Sequence, residues 1–112
     1  MQSFKLGTTI ARRQLSLSDG GKITVRVGKP QRSPDRRSYF CPYQIVGLGH
    51  DHVRRAPGGL DSIHALQFAL EKVGIDLHVL NEAHGGAIRW DGDTDGDLGF
   101  PPREKIKEIL KK

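Results

Sequence analysis

The chain has 112 residues, of which 36% are hydrophobic and 28% charged, so we expect one domain spanning residues 1–112. This length can bury a core without a metal or disulfide framework, and the single cysteine, Cys41, cannot form an internal disulfide. The net charge of +5 is unevenly distributed, because residues 1–60 hold 11 Lys/Arg against 3 Asp/Glu, whereas residues 61–112 hold 7 against 10. We therefore expect a dipolar surface.

The distribution of apolar residues argues against a secreted protein and against a membrane-spanning protein. The first twelve residues lack the apolar stretch of about 7–15 residues that a secretory signal carries. No run approaches the roughly 18 apolar residues of a membrane span, and the most apolar segment, residues 63–80, is interrupted by charged side chains. We expect a cytoplasmic protein with no membrane partner.

The first elements form a predicted β-hairpin. Residues 8–18 are rich in β-branched and alternating positions, and Asp19, Gly20 and Gly21 suit a tight turn. Residues 22–28 alternate apolar and polar side chains, as in a strand with one face in a core and one in water. Residues 29–38 contain two prolines, four Lys/Arg and no apolar residue, which indicates a solvated connecting loop.

The segment after this loop predicts two more strands. Residues 39–46 are aromatic and β-branched, and Pro42, which has no N–H, belongs at an edge or a bulge. We predict a turn over residues 47–51 and a short strand over residues 52–56, which ends at residues 57–59.

A long helix follows, with Asp61 as its N-cap. Apolar residues spaced by three and four positions predict a stripe that packs on the sheet: Ile63, Leu66, Leu70, Val73, Leu77 and Leu80, with Ala65 and Ala69 beside them. Gly74 either caps the helix or lies within it, and the unbroken stripe favours the longer helix. We predict a loop over residues 81–86 and a last strand over residues 87–90.

The order of elements predicts the fold class. Pro101 and Pro102 open a short C-terminal helix. The class is α+β, with a mostly antiparallel sheet of four to five strands, one long helix packed on one face and this short C-terminal helix. The other face of the sheet is left to solvent or a partner.

Several segments resemble a known family. They are Cys41-Pro42-Tyr43-Gln44-Ile45-Val46-Gly47-Leu48-Gly49, Arg54-Arg55, Asp61-Ser62, Ala65-Leu66-Gln67-Phe68-Ala69-Leu70-Glu71 and Gly96-Asp97-Leu98-Gly99-Phe100-Pro101. With these residues the chain resembles, over nearly its whole length, a family of small uncharacterised bacterial proteins, a domain of unknown function. The resemblance implies a stand-alone cytoplasmic bacterial domain of this architecture. It transfers no catalytic or binding residue, because that family has no established activity.

Metal sites are weakly indicated. Asp91, Asp93 and Asp95 match the first half of a calcium loop, but position 12 would be Pro102 where a bidentate Glu is needed, so a solvated acidic turn is favoured over a cation site. The run from His50 to His52, with Cys41 nearby, lacks a second closely spaced pair of ligands, so surface histidines are favoured over a zinc site. We predict no cofactor.

Enzymatic signatures are missing from the sequence. Cys41, flanked by Phe40 and Pro42 in a strand, is typical of a small buried apolar residue rather than a nucleophile. We find neither a paired acid and base nor a phosphate-binding glycine loop. The sequence therefore predicts a protein that is not an enzyme.

The basic N-terminal half supplies the candidate binding residues Arg12, Arg26, Tyr43, Arg54 and Arg55. Strand alternation places Arg12, Lys22 and Arg26 on the face away from the core, beside a basic loop that holds Lys29, Arg32, Arg36 and Arg37. A solvated charged face is the simplest interpretation. The preferred function is a non-enzymatic module that uses the open sheet face and the basic loop to bind an acidic protein or a second copy of itself. The alternative is nucleic-acid binding, with Tyr39 or Tyr43 stacking on bases.

Overall fold

The computed structural model describes residues 5–49, 52–91 and 98–100. In chain order, its elements are β1 (Thr9–Leu17), β2 (Lys22–Gly28), β3 (Gln31–Arg32), β4 (Tyr39–Phe40), β5 (Tyr43–Val46), β6 (Val53–Arg55), β7 (Gly58–Gly59), α1 (Ser62–Ala83) and β8 (Ile88–Arg89). The predicted α+β class, with a mostly antiparallel sheet and one long helix, is confirmed. The predicted C-terminal helix of residues 101–112 lies outside the described residues.

The main sheet has five strands in the order β6-β5-β2-β1-β8, and all neighbours are antiparallel. Its centre is the predicted β1–β2 hairpin, which is confirmed. The turn closes because Asp19 accepts a hydrogen bond from the Gly21 N–H at 2.8 Å, while Gly20 adopts a φ of +95° that favours glycine.

The predicted third strand is wrong in one respect, because it divides at Pro42. Residues before Pro42 form β4 in a second sheet of order β3-β4-β7, and residues after it form β5 in the main sheet. Pro42 cannot donate a backbone hydrogen bond, but its carbonyl accepts one from Gly28 N–H at 2.7 Å. The predicted loop and the predicted stop at residues 57–59 also contribute strands, β3 and β7, because β4 offers them a pairing edge.

Helix α1 starts where the sequence predicts and ends later. The Asp61 carboxylate accepts the N–H of His64 at 2.7 Å, and the helix continues through the buried Gly74 to Ala83, three residues into the predicted loop. The longer helix is therefore confirmed. No helix in the described part of the chain has the length and apolarity needed to cross a membrane.

The buried side of α1 follows the predicted stripe except at its first residue. Ile63, its first member, is 67% exposed, whereas a line of small and apolar residues is fully buried: Ala65, Ala69, Val73 and Leu77. Ala65 allows the helix backbone to approach Gly59 of β7 closely. Ile63 precedes Ala65 by two residues, which is about 200° around the helix, so it faces outward. Leu66, Leu70 and Leu80 are partly buried at the margin of the core.

The core lies between α1 and one face of the main sheet, here called the inner face. Its largest fully buried side chains are Tyr43, Leu15, Ile23, Ile45, Leu77, Ile88 and Leu98. The alternate strand positions point to the opposite side, here called the open face. This arrangement leaves a sheet surface that no described helix covers.

Candidate functional site

Four side chains form a row across the open face. Arg12 of β1 pairs with Arg26 of β2, Arg26 pairs with Gln44 of β5, and Gln44 pairs with Arg54 of β6. Residues directly opposite each other in neighbouring strands share one face of a sheet. We call Arg12, Arg26, Gln44 and Arg54 the arginine row. The predicted placement of Arg12 and Arg26 away from the core is confirmed, and the structure adds Arg54, for which the sequence predicted no face.

The arginine row is strongly positive. Arg12, Arg26 and Arg54 form no ion pair within the described part of the chain, and strands β1, β2, β5, β6 and β8 contain no Asp or Glu. Like charges directly opposite in a sheet are destabilising, and the Arg12–Arg26 pair has this arrangement. A bound anion would remove the repulsion, which makes the row a candidate binding site.

The other two candidate residues, Tyr43 and Arg55, lie on the inner face. The Tyr43 hydroxyl donates a hydrogen bond to Oδ2 of Asp76 on α1, and the Arg55 Nε donates to the same oxygen at 2.9 Å. Tyr43 and Asp76 are buried, while the Arg55 side chain is half-exposed. We call these three side chains the buried network, and the structure does not bring Tyr43 or Arg55 to the arginine row.

The buried network changes the acidity of its members. Burial raises the pKa of the Tyr43 hydroxyl well above its ordinary value, and the hydrogen bond to the neighbouring carboxylate of Asp76 raises it further. The same carboxylate raises the pKa of Arg55. Both groups therefore keep their protons at neutral pH, and the network links α1 to the edge of the main sheet through β5 and β6.

Asp76 is the first of two residues with important contacts that the sequence prediction missed. It lies three residues after Val73 and four before Leu80, which places it on the buried side of the helix. A charged residue at a position of the apolar stripe was the available signal, since such a group is buried only with partners. Its partners are far away in sequence and could not be inferred from helical spacing.

The basic loop is a separate structure from the arginine row. Arg32 donates to the Tyr39 hydroxyl at 2.8 Å and lies over its ring at 5.1 Å, within the second sheet. Asp35 accepts hydrogen bonds from the Ser33 hydroxyl at 2.5 Å and from the Arg37 N–H at 3.0 Å, which lower the pKa of its carboxyl. Tyr39 and Arg32 thus engage each other, away from the row.

Cys41 is fully buried, and its thiol donates to the Gly28 carbonyl at 3.4 Å. Burial raises the pKa of this thiol from 9.0 to about 11, because the thiolate loses its hydration. The thiol is therefore protonated at neutral pH, as expected of a small apolar core residue.

The Cys41 thiol predicts a loss of stability in alkaline solution. Between pH 9 and 11 the unfolded chain binds fewer protons than the folded one, so the free energy of unfolding should fall by up to about 1.4 kcal/mol per pH unit. Tyr43 adds to this fall above pH 10. Urea unfolding at pH 8, 9 and 10 measures the slope, and Cys41→Ala should flatten it between pH 9 and 10. Equal slopes in the two proteins would contradict the prediction.

The two metal sites that the sequence indicates only weakly lie mostly outside the described residues. Asp91 is exposed, and Asp93 and Asp95 fall in residues 92–97, which are not described. His50 and Asp51 also fall outside, and His52 is exposed. Across residues 5–49, 52–91 and 98–100, no group of three His, Cys, Asp or Glu side chains could hold a metal ion.

A second missed residue, Arg13, anchors the segment that ends at Phe100. Its guanidinium stacks on the rings of Trp90 at 4.2 Å and Phe100 at 4.8 Å, and its Nη1 donates to the carbonyls of Gly99 at 2.8 Å and Leu98 at 3.3 Å. Gly99 has a φ of +79°, and a Cβ there would lie 2.5 Å from the Trp90 ring. The contacts of Arg13 therefore explain why Gly99 and Phe100 occupy their positions in the last of the segments on which the family resemblance rests.

The comparison with known families agrees with that resemblance. The model of a family described as "Domain of unknown function (DUF6968)" matches residues 11–102. The chain belongs to this family. The DUF6968 match includes the whole arginine row and the buried network, together with the Arg13 anchor. No curated protein and no solved structure matches the chain.

Proposed function

We propose that this DUF6968 chain is a non-enzymatic binding module that holds an acidic protein surface, of a partner or of a second copy, on its open face. The observation that carries the proposal is the arginine row. Three guanidinium groups stand in one row across the sheet, Arg12 and Arg26 on adjacent strands and Arg54 beyond Gln44, and none forms an ion pair with a carboxylate of the described part of the chain. A guanidinium binds carboxylates in a bidentate geometry, so the row suits a surface that presents several of them.

The expected affinity is modest and depends on salt. A single exposed ion pair contributes about 0.2–1 kcal/mol, so three pairs and a Gln44 hydrogen bond contribute at most about 4.5 kcal/mol. That free energy corresponds to millimolar binding, and a tighter complex requires contacts outside the row. The Debye length is about 8 Å at physiological ionic strength, so added salt should weaken binding strongly. Such a module would exchange its partner readily.

Nucleic-acid binding remains the alternative, because phosphates also pair with arginines. Proteins that bind nucleic acid on a sheet usually stack bases on exposed aromatic rings. Tyr43 is buried against Asp76, and Tyr39 lies in the second sheet with Arg32. These positions favour an acidic protein as partner. Binding of a mixed oligonucleotide pool at low salt, measured by gel shift and lost steeply as salt is added, would support the alternative instead.

Charge reversal on the open face tests the proposal. Arg12, Arg26 and Arg54 are replaced together by Glu, while Arg55 is left unchanged because it pairs with Asp76. We expect this variant, immobilised, to retain at least about tenfold less acidic protein from a lysate of the source cell than the wild type, since about 1.4 kcal/mol of lost pairing gives a factor of ten. Quantitative mass spectrometry of the retained proteins measures the difference.

A matched variant controls for net charge. Lys29, Arg36 and Arg37 are exposed in the basic loop, and their joint replacement by Glu changes the net charge by the same amount. We expect it to lose less capture than the open-face variant. Unchanged capture by the open-face variant, or equal loss in both variants, would show that the arginine row is not the site. Light scattering at low and high salt tests the second copy as partner.

The cellular location of the protein is part of the same proposal. We place it in the bacterial cytoplasm, supported by the family resemblance and by Cys41, a buried free thiol that fits a reducing compartment. Cell fractionation of the source organism with an antibody against the chain would test this location.

A further inference from the structure

We infer that the arginine row selects an extended acidic segment whose carboxylates occupy alternate positions and which lies across the strands of the main sheet. This inference rests on the proposed function and names the class of partner more narrowly. It follows from the register of the four strands, which places the charges in a line.

The spacing of the row sets the spacing of its partner. Neighbouring strands lie about 4.8 Å apart, so Arg12 and Arg54, which are separated by two strands, have backbones about 14 Å apart. In an extended chain, side chains at positions i, i+2 and i+4 point to one side and span about 13 Å. Three carboxylates at alternate positions therefore match the length of the row.

A cluster of consecutive acidic residues does not match in the same way. Successive side chains of an extended segment point to opposite sides, so two of every four would face away from the open face. The row also has a neutral position, because Gln44 lies between Arg26 and Arg54. Its amide can donate to a backbone carbonyl of the bound segment, between the carboxylates that pair with Arg26 and Arg54.

The chain itself contains a segment with the required pattern. Residues 91–97 read Asp-Gly-Asp-Thr-Asp-Gly-Asp, with aspartates at every second position. A synthetic peptide of this sequence is therefore a suitable probe. Its matched control has the same composition with consecutive aspartates, Gly-Asp-Asp-Asp-Asp-Thr-Gly, so charge and length are equal and only the spacing differs.

Fluorescence anisotropy with the two labelled peptides tests the inference at low ionic strength. We expect the alternating peptide to bind about fivefold more tightly than the consecutive one, because one or two aligned pairs are lost in the second peptide. Arg26→Gln, which removes the central charge, should weaken the alternating peptide about fivefold and abolish the preference. Lys22→Gln, on the same open face but outside the row, should preserve the preference.

The outcomes separate this inference from the proposed function. Equal affinity for both peptides would overturn the selection by spacing but leave the capture of acidic proteins standing. Unchanged capture by the charge-reversed variant would overturn the proposed function. Displacement of the alternating peptide by a lower concentration of single-stranded oligonucleotide would overturn both in favour of nucleic acid. Thermal unfolding of each variant confirms that it is folded.

Discussion

Replacement of Asp76 by alanine is expected to lower the free energy of unfolding by about 2–4 kcal/mol. The substitution leaves the buried Tyr43 hydroxyl without its acceptor and the Arg55 guanidinium without its counter-charge. Breaking a fully buried ion pair costs about 3–5 kcal/mol. Because Arg55 is half-exposed and regains hydration, we expect the smaller loss of about 2–4 kcal/mol. Urea unfolding monitored by circular dichroism measures this value.

Three further variants measure how much stability each contact of the buried network contributes. Asp76→Asn keeps one acceptor oxygen and should lose about half as much stability as the alanine variant. Tyr43→Phe should lose about 1 kcal/mol, and Arg55→Gln less, because its side chain is half-exposed. A loss of less than about 0.5 kcal/mol in Asp76→Ala would mean that the buried network does not stabilise the fold.

Replacement of Gly59 by alanine is expected to lower the free energy of unfolding by about 3 kcal/mol. A Cβ at this position would overlap the backbone nitrogen of Ala65 and lie 2.8 Å from its Cα. Because these atoms belong to the first turn of α1, they cannot yield as a flexible side chain would. The helix or β7 must shift, and the line of buried alanines loses its close contact with the second sheet.

The neighbouring glycine provides the control. A Cβ at Gly58 would lie 3.6 Å from the Tyr39 carbonyl oxygen, which is an ordinary contact. Gly58→Ala should therefore change the free energy of unfolding by about 0.5 kcal/mol or less. Similar losses in both variants would indicate that strand pairing at β7, rather than the approach of the helix, is the sensitive feature.

The elements that the sequence predicts correctly depend on local chemistry. The β1–β2 hairpin follows from its alternation and its Asp-Gly-Gly turn, and the start of α1 follows from Asp61. The same alternation places Arg12 and Arg26 on the open face. These features need information from only a few consecutive residues, which is why they could be predicted without the fold.

The remaining features depend on pairing between distant residues. Strands of two residues, such as β3 and β7, are too short to show a period, and they form only because β4 offers an edge. Strand alternation separates Arg54 from Arg55, but which of the two lies on the open face depends on the register of β6 against β5. The role of Asp76 likewise requires knowledge of which strand lies opposite α1.

The buried network has a consequence for recognition as well as for stability. Arg55 and Arg54 are consecutive residues of a three-residue edge strand, so the bond that holds Arg55 on the inner face also fixes the direction in which Arg54 projects on the open face. In the proposed complex, a change at Asp76 would therefore loosen the contact that Arg54 makes with a bound segment, although that segment never touches Asp76. The domain thus couples the hydrogen bonds of its interior to the alignment of its surface charges.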